Sequence, residues 1–227
     1  DDKDPHFDFD FSEDDGFDVH WAGIEFGLNN YVNGNFSMNF SDEYPYMDLN
    51  TGKSWNINLN FLEYDLNLVS NNLGLGTGLG LEFNDYRFDN QYPITKEDGR
   101  IQVDSMYINN DYNMEKAKLT TTYITVPLIL EYQVKPGDND NKFFVSAGII
   151  GGLKLGSHTK VKYERNGNSK KDKVRGDFYL SPFRYGYTFR MGYGFMKLFA
   201  NYYETSLFEK GKGPELHPFT LGFTLTF

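Results

Sequence analysis

With 227 residues, no cysteine and a formal net charge of −10 at a pI near 4.8, the chain has room for one large all-β domain or two small ones, and it lacks disulfides and thiolate metal sites. Phosphate binding requires a basic stripe and none is evident, so no nucleic-acid partner is expected. Aromatic residues make up 18 %, yet mean hydropathy is −0.57 and no apolar run approaches the roughly 20 residues of a spanning helix; this excludes a helical membrane protein but not a β-barrel, whose strands show apolar side chains to lipid only at every second position.

Residues 1–16, rich in Asp and Phe with Pro5 and His6, read as a flexible acidic arm, because high acidity with little aliphatic content disfavours independent folding. No signal peptide begins at Asp1, so either the numbering starts after cleavage or the protein was never exported. From residue 17 to 227, alternation of period two recurs between Gly, Asn, Asp and Pro clusters, which predicts strands. Eight are placed at roughly 17–32, 53–69, 73–89, 117–134, 142–163, 173–193, 195–207 and 216–227. Within the second, Trp55, Ile57, Leu59 and Phe61 lose phase with Tyr64, Leu66 and Leu68, as at a β-bulge or where a strand leaves the membrane. The last runs Phe219, Leu221, Phe223, Leu225, Phe227 against Thr220, Gly222, Thr224, Thr226.

The even count and the alternation of short connections (Ser70 to Asn72, Lys135 to Asn141, Gly194) with long ones predict an eight-stranded antiparallel transmembrane up-and-down β-barrel with both termini in the periplasm. The third strand decides which face is outward. Its leucines oppose Gly74, Gly76, Gly78 and Gly80, and such a ladder suits the crowded lumen of a small barrel better than a solvent face. On that phasing the lumen receives Glu25, Asn56, Asn58, Asn60, Glu63, Asp65, Glu82, Glu131, Lys154, Arg184 and Arg190. Buried charges demand partners, so Arg184, Arg190 and Lys154 are expected to pair with several of Glu25, Glu82 and Glu131 and to block the pore. Outward fall Ile24, Phe26, Leu28, Val126, Leu128, Leu130, Ile149, Leu153, Tyr185, Tyr187, Phe189 and Leu198. Aromatic girdles are expected from Tyr132, Phe143, Tyr193, Phe195 and Phe227 on the short-turn rim, and from Trp55, Tyr31, Tyr86, Phe88 and Phe208 toward the other. The alternative is a soluble lipocalin-like barrel, with its glycines and asparagines on the exterior.

The segments Gly78–Phe88 (GLGLEFNDYRF), Tyr123–Glu131 (YITVPLILE), Gly148–Lys160 (GIIGGLKLGSHTK) and Ser181–Tyr187 (SPFRYGY) resemble the PorT-like outer-membrane β-barrel family of Gram-negative bacteria. The resemblance covers roughly residues 17 to 227. It implies an integral outer-membrane protein; the non-enzymatic part in secretion of surface proteins belongs to PorT itself, and the shared motifs specify a barrel rather than that role. Phe227, ending an alternating strand, looks like the signal read by the β-barrel assembly machinery.

Chemical motifs are sparse. The glycine run lacks dinucleotide-loop spacing, and His6, His20, His158 and His217 lack paired zinc spacing. Asp8, Asp10, Ser12, Asp14 and Asp15 miss the register of a calcium loop. Ser157 beside His158 has no evident third member. No cofactor, metal or catalytic residue is therefore assigned. A non-enzymatic structural or adaptor barrel contacting lipid and other envelope proteins leads, ahead of a narrow solute channel and a lipid-modifying enzyme.

Overall fold

A computed structural model describes residues 17–38, 40, 44–110, 112–136 and 141–225. Its strands are β1 (Gly23–Asn33), β2 (Trp55–Val69), β3 (Leu73–Arg87), β4 (Ile94–Glu97), β5 (Arg100–Val103), β6 (Asn113–Val134), β7 (Phe143–Arg165), β8 (Asn168–Arg175), β9 (Phe183–Tyr193), β10 (Met196–Tyr203) and β11 (Leu216–Leu225), with one short helix, α1 (Ser105–Asn109). Eight of them form a closed ring in the order β6-β3-β2-β1-β11-β10-β9-β7, with β7 returning to β6. Every pairing is antiparallel. Closure leaves no long row of unpaired backbone groups around the wall, the condition for a sheet to sit in hydrocarbon.

The expected phase break in the second strand is a register shift between Asn60 and Leu62. The turn after it places Ser70 and Asn71 at positive φ, where Asn tolerates the left-handed region.

Three expectations change. The predicted first strand begins six residues late, at Gly23: residues 17–22 leave the wall and enter the barrel, where Phe17, Val19 and Trp21 are buried. The predicted sixth strand is two strands. β8 pairs only with the upper part of β7, and β9 re-enters the ring after a break that contains Phe178 and Tyr179 at positive φ and Pro182, residues that cannot continue a ladder. The long connection between β3 and β6 carries structure of its own, a β4–β5 hairpin followed by α1, whose Asp104 side chain accepts from Met106 N at the N-cap.

The phasing into lumen and exterior holds through the apolar belt. Phe26, Leu128, Ile149, Tyr185 and Leu198 are exposed on the outer wall, while Glu25, Asn56, Asn58, Glu82, Glu131, Arg184 and Arg190 are buried. At the long-loop end the interior changes character. Tyr31, Tyr86, Phe88 and Phe208, expected in a girdle, are instead buried with Met47, Ile101, Leu119 and Leu180 in an apolar core. The loops fold over the barrel mouth there, so the rings gain more by facing each other than by facing lipid. Trp55 stays on the outer wall at that end, stacked on Phe26 at 6.2 Å.

Candidate functional site

The candidate site is the lumen. Residue 25 of β1 and residue 190 of β9 both point inward, and Arg190 Nη2 lies 2.9 Å from Glu25 Oε1, with Nε at 3.1 Å from the same oxygen. Asn58 Nδ2 donates to the other Glu25 oxygen at 2.7 Å. One step higher, Arg184 Nη2 stands 2.6 Å from Glu82 Oε1. Its guanidinium is held between the rings of Tyr123 and Tyr203, 3.6 and 3.8 Å from their centroids. Tyr203 Oη and Asn84 Nδ2 donate to Glu82. Planar guanidinium groups stack on rings and pair with carboxylates in this way where lysine would not.

Glu131 meets no arginine. Its carboxylate accepts from His20 Nδ1 at 2.6 Å, from the His20 backbone N–H at 3.1 Å and from Gln133 Nε2 at 2.7 Å. The His20 ring lies parallel to Phe144 at 4.0 Å. A carboxylate only accepts, so Nδ1 must carry a proton. Glu63 takes the next two backbone donors, Trp21 N at 2.7 Å and Ala22 N at 2.6 Å. Asn60 Nδ2 and Gln133 Nε2 donate to Trp21 O and Asp18 O. Residues 17–22 are thus tied to the wall by backbone as well as side chains, which meets the requirement that polar groups of a buried irregular segment find partners.

The glycine ladder explains how that segment fits. A Cβ at Gly74 would lie 2.3 Å from the Phe17 ring, one at Gly76 2.5 Å from Val19, and one at Gly78 2.5 Å from Trp21. Each of these three glycines of β3 is the floor under one inward side chain of the segment, while Gly80 faces Asn60 and Thr125. Arg190 completes the packing with its guanidinium 4.3 Å above the Trp21 ring.

Of the lumen residues expected from the sequence, Glu25 lies with Arg190 and Glu82 with Arg184. Lys154 does not join them: its Nζ donates to Leu180 O at 2.5 Å and Asp177 O at 3.3 Å, because the break before β9 leaves loop carbonyls at that height. Asp65 is half-buried on the same side as Glu63. Phe227, and the acidic residues considered for calcium, lie outside the described residues. His20 and Gln133 were missed as network members, although the matched spacing of Phe17, Val19 and Trp21 against Gly74, Gly76 and Gly78 was a readable signal.

Residues 19–208 match the family model for the outer membrane protein beta-barrel domain. The chain belongs to this family. It is accordingly an outer-membrane β-barrel, and the exposed leucines and phenylalanines of its outer wall face hydrocarbon. Among solved structures, that of Ail, the attachment invasion locus protein of Yersinia pestis, is similar at 10 % identity over 91 % of this chain and 99 % of the other, with a TM-score of 0.28. No curated protein sequence matches.

For this outer-membrane barrel the remaining motifs resolve simply. Ser157 and His158 are neighbours on β7, so the pleat sends them to opposite faces. Ser157 Oγ bonds to Gly176 O, while His158 sits opposite Thr120 and Arg175. They form no dyad. Among the described residues no group of three His, Asp or Glu side chains is placed to hold a metal ion, and no helix is long and apolar enough to cross a membrane. At the short-turn end Tyr132 and Phe195 are exposed, and Tyr193 pairs with Phe143 across β9 and β7.

Proposed function

We propose that this barrel is a closed, non-enzymatic envelope component of the PorT-like kind, with both termini in the periplasm, long loops outside the cell, and Tyr132, Phe143, Tyr193, Phe195 and Trp55 seated at headgroup level. One observation carries the reading: residues 17–22 occupy the lumen and are bonded to Glu63 and Glu131 below the two arginine–glutamate pairs. A solute path would have to displace a segment that fills the space above three glycines, which weighs against a channel. The segment continues into the acidic arm of residues 1–16, so a periplasmic partner that grips the arm would pull directly on the plug.

Planar-bilayer recording tests this. The full chain should insert without conductance, and a variant lacking residues 1–22 should still be closed or nearly so, because Arg184 and Arg190 remain. Steady, solute-selective conductance by the full chain would favour the channel reading. Recovery only as a lone monomer, after cross-linking in native membranes, would count against an adaptor.

A further inference from the structure

Above the apolar belt the outer wall becomes basic, a feature that the overall charge of −10 hides. The strand registers put Arg87, Lys118, Lys160 and Lys173 directly opposite one another across four neighbouring strands. The next row up aligns Lys116, Lys162 and Lys171. The row below aligns Thr120, His158 and Arg175. Directly opposed residues share a face, and this face is the outer one, because Ala117, Leu119 and Val161 on the same strands are buried inside. The absence of a basic stripe expected from the sequence is therefore corrected: β-pairing assembles the stripe from residues 87, 118, 160 and 173, which stand well apart along the chain.

Like charges opposite one another destabilise a sheet, and this array is only partly neutralised from within. Asp85 takes Lys118 and Glu115 takes Lys162. Lys160, Lys171, Lys173 and Arg175 have no carboxylate partner among the described residues. Burial, then the neighbouring Lys118 and Arg87, hold Lys116 below its ordinary value. Burial, then Lys173 and Lys118, lower His158.

We infer that this array binds the headgroup of a phosphorylated glycolipid in the leaflet on the long-loop side. The geometry selects an amphiphile over a soluble polyanion. On the same outer face the strands carry Ile124, Val126, Leu153 and Phe83 just below the basic rows, so one molecule can lay acyl chains on the belt and phosphates on the lysines. Rows two residues apart are about 6.6 Å apart along a strand, so three rows span about 13 Å. That height suits several phosphates carried on a sugar headgroup better than the single phosphate of a glycerophospholipid. A Lys cluster beside a membrane surface gains affinity for anionic headgroups in proportion to its charge.

The test uses the full chain, folded in dodecyl maltoside, titrated with diphosphoryl lipid A, with the same lipid dephosphorylated, with phosphatidylglycerol and with inorganic polyphosphate. Heat-modifiable migration on gels verifies folding of each variant. The diphosphoryl lipid should bind at least about ten-fold more tightly than each of the other three. The triple variant Lys160→Gln, Lys171→Gln, Lys173→Gln should lose about 100-fold, at about one weak surface interaction per lysine, and Lys142→Gln on the opposite rim should lose nothing. Equal binding of the dephosphorylated lipid, or an unchanged triple variant, overturns the proposal. Polyphosphate as tight as the lipid overturns the assignment to a membrane amphiphile, and phosphatidylglycerol as tight overturns the glycolipid assignment.

Discussion

The lower barrel and the loop-covered mouth solve the interior problem in opposite ways, and β6 shows both solutions on one strand. Near its C-terminal end Leu130, Leu128 and Val126 are exposed and Glu131 and Thr125 are buried; near its N-terminal end Leu119 and Ala117 are buried while Lys118 and Lys116 face out. The polarity of the two faces inverts over the threonines at 120–122. A wall in hydrocarbon keeps its polar side chains inside and must fill the middle with paired charges, whereas the same wall in water keeps its apolar side chains inside. The inversion marks where the strands leave the membrane, and it explains why two arginine–glutamate pairs lie below and an aromatic cluster above.

Removing one charge should produce the largest effect. Arg190→Ala leaves Glu25 buried without its cation, and breaking a buried pair costs about 3–5 kcal/mol. Unfolding by urea in lipid vesicles should show that loss, and the double variant Glu25→Leu, Arg190→Met should recover most of it. If the single variant is as stable as the parent, the lumen is wetter than its packing implies.

The matching change in the mouth is Phe88→Ala, which opens a cavity in the apolar cluster and should cost about 3 kcal/mol or more. The damage should stay in the loops: trypsin should cut around Lys96 and Arg100 sooner, while the folded barrel band persists on gels. Global unfolding would mean that the two regions form one cooperative unit.

A smaller effect is expected at Gly76→Val, which sets a side chain against Val19 and should cost about 1–3 kcal/mol by overpacking. Protease access to residues 17–22 should rise with no change in the mouth.

The smallest effects follow pH. Lys96, 2.7 Å away, holds the Asp177 carboxyl below its usual range. A depressed carboxylate value gives stability that is present above the ordinary value near 4 and fades as pH falls through the depressed one. Burial and a hydrogen bond to Asp172 raise the Tyr107 hydroxyl above its usual value, so its contribution is intact below the ordinary value of about 10 and fades as pH rises through the raised one. Proteolysis of residues 91–110 should quicken at both extremes while the lumen contacts hold.

How legible this was depends on what each signal measures. Alternation reports that one face differs from the other, and so the eight wall strands and the lumen residues Glu25, Glu82, Arg184 and Arg190 could be read directly. It cannot report what an alternating segment pairs with. Phe17, Val19 and Trp21 alternate like a strand but insert against glycines, and β8 and β9 ran together although Pro182 marked the gap. Tyr31 and Phe88 looked like girdle residues because sequence does not reveal that loops close over them. The lysine rows were invisible because only strand register brings residues 87, 118, 160 and 173 side by side.

The plug can be tested most directly with a disulfide, since the chain has no native cysteine. In a Val19→Cys, Gly76→Cys variant folded in the outer membrane, oxidation should join the two positions, as seen by a shift on non-reducing gels, and a Val19→Cys, Lys160→Cys control should stay open. Failure of the first pair to close, while a cross-strand Lys160→Cys, Lys173→Cys pair closes readily, would mean that residues 17–22 do not lie in the lumen.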